Sequence, residues 1–141
     1  MYMGRFDHTI DAKGRMNVPS RFRDELGDEF IITQGLDGCI AVYDKQEWQK
    51  FEEKLKGLPV SNPDARKFIR FFLSCAYPCE VDKQGRILIP TPLREFAKLD
   101  KDVVVTGALD RVEIWDKDTY LKKNQYDDID EVSARMAEFN I

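Results

Sequence analysis

Apolar positions along this chain fall into short strand-length runs and a few helical stripes, and the order of runs in the first part returns in the second. Phe30-Ile31-Ile32-Thr33 and Cys39 to Tyr43 are compact apolar runs joined through Leu36-Asp37-Gly38, in which Asp-Gly is a strong turn signal. Val103-Val104-Val105-Thr106 and Val112 to Trp115 repeat that pair through Leu109-Asp110-Arg111, a weaker turn. Ahead of each pair stands a shorter run, Met16 to Val18 or Arg86 to Ile89, stopped by Pro19 or Pro90. Proline cannot donate to a sheet ladder but suits a helix start, so Ser20 to Leu26 and Thr91 to Leu99 are predicted as short helices. A further helix closes each set, Lys45 to Lys56 and Lys117 to Gln125. Asn62-Pro63-Asp64 supplies a cap and proline to a stripe at Phe68, Ile69, Phe72 and Leu73, which predicts a helical connector.

Aligning the two sets gives an internal repeat. Asp11-Ala12-Lys13-Gly14-Arg15, running on through Val18-Pro19 to Arg23, is echoed by Asp82-Lys83-Gln84-Gly85-Arg86, running on through Ile89-Pro90 to Arg94. Downstream, Leu36-Asp37 matches Leu109-Asp110, Val42 to Lys45 matches Ile114 to Lys117, and Trp48 matches Tyr120. The expected fold is α+β: two tandem pseudo-symmetric β-hairpin units with short helices, joined by a connecting helix. In each unit an extended segment, Gly4 to Ile10 or Cys79 to Val81, should turn at Gly14 or Gly85 and form a hairpin with the next run. The expected boundaries are a first unit at 1–57, a connector at 58–76, a second unit at 77–125 and a helix or tail at 126–141. One such unit offers too little apolar surface to stand alone, so each should cover the other.

Composition narrows the function. With 141 residues and 43% hydrophobic content the chain can bury a core without disulfides or metal. Cys39, Cys75 and Cys79 are irregularly spaced, with only His8 to complete a zinc shell, so free buried thiols are expected and no metal or cofactor. No apolar run reaches the length of a membrane span and the N-terminus turns polar at once, so a cytoplasmic protein without a membrane partner is expected. The net charge of −4 argues against nucleic acid until its distribution is considered. Residues 1–23 carry five basic against two acidic side chains, and residues 116–141 four basic against seven acidic, so one end is basic and the other acidic.

The doubled turn is the candidate chemistry. Asp11 and Arg15, and again Asp82 and Arg86, stand four residues apart across a glycine, close enough for the carboxylate to hold the guanidinium. That pair could simply lock the turn. With Lys13, Lys83 and Gln84 added, the turns become compact groups of donors, and arginine reads guanine while glutamine reads adenine in a major groove. The candidate DNA-binding residues are Lys13, Arg15, Lys83, Gln84, Arg86 and Arg5, with Asp11, Gly14, Asp82 and Gly85 orienting the turns. Arg5, Arg21, Arg23 and Arg94 fit phosphate contacts or solvated charges equally well.

The doubled Asp-x-x-x-Arg motif, with Val18-Pro19 and Ile89-Pro90 following it, resembles the bacterial MraZ family over essentially the whole chain. The resemblance implies AbrB-like swapped-hairpin units and a transcription regulator, acting as a repressor, of the division and cell wall gene cluster. It further implies a homo-oligomeric ring that binds direct repeats in promoter DNA at the nucleoid, with Arg15 and Arg86 on the DNA-binding face. Two rivals remain: an antitoxin-like regulator of the same fold, and a ring-forming scaffold for protein contacts. An enzyme acting on a small-molecule substrate is disfavoured, because no nucleophile stands near a plausible base and no phosphate-binding glycine loop occurs.

Overall fold

Apolar alternation and turn chemistry place eight strands and six α-helices in this computed structural model, which describes all 141 residues. The first repeat gives β1 (Arg5–Thr9), β2 (Arg15–Asn17), α1 (Ser20–Leu26), β3 (Glu29–Gln34), β4 (Ile40–Asp44) and α2 (Lys45–Lys56). The connector is α3 (Pro63–Leu73). The second repeat gives β5 (Tyr77–Glu80), β6 (Arg86–Leu88), α4 (Thr91–Phe96), β7 (Asp102–Gly107), β8 (Val112–Asp116) and α5 (Lys117–Lys123), followed by α6 (Ile129–Arg135) and a 3-10 turn at Met136–Phe139.

Six strands form one antiparallel sheet in the order β1-β7-β8-β4-β3-β5, and β2 pairs with β6 in a separate ribbon. The sheet is built by exchange: β1 of the first repeat pairs with β7 of the second, and β5 of the second pairs with β3 of the first. The expected hairpin between the extended segment and the next run is therefore limited to its turn. Asp11 N–H donates to the Arg15 carbonyl at 2.9 Å and Ile10 bridges Met16, after which the strands part. The physical reason lies in Met16 and Ile87, each 2% exposed. They reach the core only if β2 and β6 lie together across the sheet, and a lone two-stranded hairpin would leave them in water.

The sheet is covered on both faces. Ile32, Ile40, Val42, Val103, Val105 and Ile114 point to one side and pack under the ribbon and helices α1 and α4, through Val18, Phe22, Ile89 and Leu93. Burying a side chain such as Phe22 is worth about 1.5–3 kcal/mol. Intervening positions face the other side, where Tyr43, Trp48, Phe51 and Phe72 stack beneath α2 and α3, and Trp115 meets Tyr120 of α5. Two helices are shorter than expected. The α4 helix stops at Phe96 because Lys98 takes a left-handed φ of 56°, which lets Leu99 N–H reach back to the Arg94 carbonyl and seal the end. Helix α5 ends at Lys123, where Asn124 leaves helical geometry.

Candidate nucleic-acid interface

The β2–β6 ribbon brings the two Asp-x-x-Gly-Arg turns into one structure. Its register sets Arg15 opposite Leu88, Met16 opposite Ile87 and Asn17 opposite Arg86. Because side chains alternate, Met16 and Ile87 face the core and Arg15, Asn17, Arg86 and Leu88 face outward. Arg15 and Arg86 stand on the ribbon's diagonal, about 8 Å apart between Cα atoms on ordinary strand spacing. Each turn also lends a carbonyl to the other repeat: Val18 N–H donates to Gly85 at 3.0 Å, and Ile89 N–H to Gly14 at 2.8 Å.

The geometry within each turn is the same. One oxygen of Asp11 accepts from the backbone N–H of Lys13 at 3.0 Å and of Arg15 at 2.9 Å, and the other accepts from Arg15 Nε at 3.0 Å. Asp82 accepts from Gln84 N–H at 2.8 Å, Arg86 N–H at 2.9 Å and Arg86 Nε at 3.2 Å. Both carboxyls are held below the usual carboxylate range, Asp11 chiefly by the Arg15 backbone N–H and Asp82 chiefly by that of Arg86. Since Nε is the atom held, the two terminal nitrogens of each guanidinium project past the carboxylate as a free fork. Lys13, Lys83 and Gln84 lie exposed on the turns.

Gly14 and Gly85 have φ of 87° and 77°, the left-handed region, and are buried. They have a second reason to be glycine. The Arg94 guanidinium from α4 lies over Gly14, where an added Cβ would sit 2.6 Å from Cζ, and the Arg23 guanidinium from α1 lies over Gly85. Each helix thus sends its arginine to the turn of the other repeat. Arg94 also donates to Thr91 Oγ1 at 2.8 Å, while its Nε is buried without a partner.

Other candidate residues lie elsewhere. Arg5 sits at the far end of β1, pairs with Asp7 at 3.1 Å and rests over the Tyr120 ring at 5.0 Å, so it is not part of the ribbon. Arg21 lies near Gly4. Asn17 and Leu88 share the ribbon's outward face with Arg15 and Arg86 and were not among the expected site residues, although alternation about Met16 and Ile87 would have placed them there. Leu88 is 58% exposed, an apolar side chain between two arginines. The cysteines are unpaired, and burial pushes the Cys39 thiol up to about 12 and that of Cys79 to about 11.

The MraZ family model, described as MraZ protein, antitoxin-like, matches the chain twice, over residues 1–71 and 72–140. The chain belongs to the MraZ family. A protein named transcriptional regulator MraZ from Lachnoclostridium phytofermentans is 54% identical over 141 residues, covering 100% of this chain and 99% of its own length. Proteins of the same name from Caldanaerobacter subterraneus and Desulforamulus reducens are 52% identical over 143 aligned positions and 59% over 124. The first covers all of both chains, and the second 88% of this chain and 87% of its own. The MraZ match in two tandem segments agrees with the repeat, and membership places the chain among regulators and not enzymes. No helix is long and apolar enough to cross a membrane.

Proposed function

We propose that this protein is a sequence-specific DNA-binding transcription regulator whose β2–β6 ribbon enters the major groove. The observation that carries the reading is the pairing of β2 with β6, which turns two separate motifs into one outward surface holding Arg15 and Arg86. A two-stranded ribbon has the width a major groove admits, and end-on guanidinium forks suit guanine O6 and N7. Lys13, Lys83 and Gln84 flank the arginines as further donors, and Asp11 and Asp82 aim them. Gly14 and Gly85 keep the turns close enough for Arg23 and Arg94 to cross over, where their charge adds to the field drawing phosphate. Arg5, held by Asp7 and Tyr120, contributes at most a distant phosphate contact.

On this reading the two repeats are AbrB-like units, 1–57 and 77–125, linked by 58–76, with β1 and β5 as the exchanged elements. The names of the relatives support transcription regulation as the role. Family membership supports the finer reading: a cytoplasmic, nucleoid-bound repressor of the division and cell wall gene cluster, which assembles as a homo-oligomeric ring. A ring holding several ribbons at fixed spacing would engage direct repeats in a promoter together, converting modest single contacts into tight binding through effective concentration.

The test is a titration of the protein onto repeat-bearing and scrambled duplexes at several salt concentrations, with the R15E and R86E variants beside it. The regulator should prefer the repeats, weaken steeply as salt rises, and lose DNA in both variants while keeping its assembly. Equal affinity for both duplexes would refute specific recognition. Variants with undiminished binding would leave the ribbon as scaffold.

A further inference from the structure

The second repeat ends in a helix that its own chain does not cover. Residues 129–139, which are α6 and the 3-10 turn after it, contain no buried residue. Their apolar side chains fall on one face at Ile129, Val132, Met136 and Phe139, and Ile129, Met136 and Phe139 are 49%, 37% and 62% exposed. A seven-residue α-helix continued by a four-residue 3-10 turn is marginal in water without a tertiary partner.

The first repeat shows what such a helix is for. There α3 follows α2 as α6 follows α5, spans 11 residues like the C-terminal segment, and carries Ala65, Ile69 and Phe72 at the spacing of Val132, Met136 and Phe139. It buries Ala65 and Phe72 at the edge of the sheet, where Thr33 Oγ1 donates to the Phe72 carbonyl at 2.6 Å. The matching seat in the second repeat is taken. Tyr2 to Gly4 lie in it, with Gly107 N–H donating to the Gly4 carbonyl at 2.8 Å and Thr106 Oγ1 at 3.3 Å. Helix α6 is therefore shut out of its own chain's position.

A receiving surface of opposite charge exists on the same molecule. Leu55 of α2 and Ile69 and Leu73 of α3 line the apolar floor of a shallow groove of about 190 Å³, with Glu52 and Lys56 of α2 offsetting each other in charge along its rim, and Leu73 is 45% exposed. Arg66 and Arg70 border it on the helical wheel, and α3 carries three basic side chains against one acidic. Residues 127–141 carry five acidic side chains against one basic. We propose that the apolar face of α6 docks into the α2–α3 groove of a second copy of this chain, with Asp130 and Glu131 set against Arg66 and Arg70. The donor and acceptor surfaces are different patches of one subunit, so the contact is head-to-tail and propagates until it closes as a ring. The inference rests on the ring reading above and names the element that builds it.

The experiment measures mass in solution by light scattering on the full chain. Wild type is compared with M136D/F139D, with the donor reversal D130K/E131K, with the acceptor reversal R66E/R70E, and with both reversals combined. Wild type should run as a multimer and each of the first three variants as a smaller species, while the combined reversal regains mass. The far-ultraviolet spectrum and melting temperature of the separated subunit should change little in M136D/F139D, because neither side chain is buried within its own chain. A multimer whose mass is unchanged in M136D/F139D overturns the docking while leaving the ring. A monomeric wild type overturns the ring itself and the docking with it. Loss of mass in the single reversals without recovery in the combined one overturns the assigned acceptor.

Discussion

Thr33 and Thr106 hold the same place in the two repeats, and each donates to a backbone carbonyl of the segment leading into an exchanged strand. In the first repeat the acceptor is Phe72, at the end of a helix; in the second it is Gly4, in an extended segment. The neighbouring position differs to match. Gln34 reaches the Phe71 carbonyl through Nε2 at 2.7 Å, while Gly107 has no side chain and takes the Tyr2–Met3 backbone directly against its Cα. The ribbon, by contrast, is nearly the same in both halves, with matching turns, crossed carbonyls and crossed arginines. Symmetry is thus kept where the motifs meet and abandoned at the sheet's margins, where one repeat receives a helix and the other a strand.

The largest effect should come from putting a side chain where only backbone fits. In Gly107→Ala the new Cβ would collide with the backbone of Tyr2 and Met3, which cannot swing away as a flexible side chain can. The strand extension should detach, exposing Tyr2, now 3% exposed, and breaking its 2.5 Å hydrogen bond to Asp44, which also caps α2. A loss of about 2–4 kcal/mol is expected, within the range of severe steric substitutions. Denaturant unfolding measures it, and a loss under a few tenths would show that the segment is not seated as described.

The two threonines offer a graded version of the comparison. Thr33 is fully buried, and Thr33→Val would leave the Phe72 carbonyl without that donor, costing about 1–2 kcal/mol. Thr106→Val removes a longer bond at a half-exposed site where water can substitute, so the cost should stay below about 0.5 kcal/mol. Equal losses in the two would mean that the seats are energetically alike despite their different occupants.

Which parts of this were legible in the sequence follows from the same contrast. The repeat was open to view because Asp11 to Arg23 and Asp82 to Arg94 share both identities and spacing. The exchange of β1 and β5 was not, since Asp-x-x-Gly-Arg closes the same turn whether its flanking strands pair with each other or part after one bridge. With the exchange hidden, the crossing of Arg23 to Gly85 and Arg94 to Gly14 was hidden too, because only the ribbon's register brings those residues together. Arg15 and Arg86 could be nominated from spacing and charge. Arg5 resembled them in composition alone, and the ends of β1 carried it to another edge of the molecule.

Where the chain leaves its two short helices the repeats differ again. Gly27 follows α1 with φ 76° and ψ −166°, a region essentially reserved for glycine, and Lys98 stands at the matching place after α4 with φ 56°. Lys98 is exposed, so glycine there would lose no packing. Lys98→Gly should stabilise by about 0.5–1 kcal/mol, as relief of left-handed strain exceeds the added freedom of the unfolded chain. Thermal unfolding checks it, and destabilisation would mean that the lysine side chain holds the helix end in some other way.

The smallest effect belongs to the place where the repeats agree. Asp11 and Asp82 both titrate below the ordinary value of 3.8, held down first by the Arg15 and Arg86 backbone N–H groups. A carboxyl with a depressed folded pKa adds stability that is complete above the unfolded value and is lost as pH falls through the folded one. Both turns are open to solvent, so the loss should be slight, screened by salt, and confined to pH below about 4. Carbon-detected NMR titration of the two carboxyls should give nearly coincident curves, with D11N and D82N shifting melting temperature by similar small amounts at neutral pH and by progressively less as acid protonates the wild-type carboxyls. Divergent curves would show that the ribbon's halves differ electrostatically, and then Leu88 opposite Arg15 and Asn17 opposite Arg86 are the first sequence differences to exchange. The symmetry matters for the proposed binding because Asp11 and Asp82 hold both arginines through Nε in the same way. If they titrate together, the two halves of the ribbon stay aimed over the same pH range, and on the DNA-binding reading proposed above neither half would lose its contact before the other.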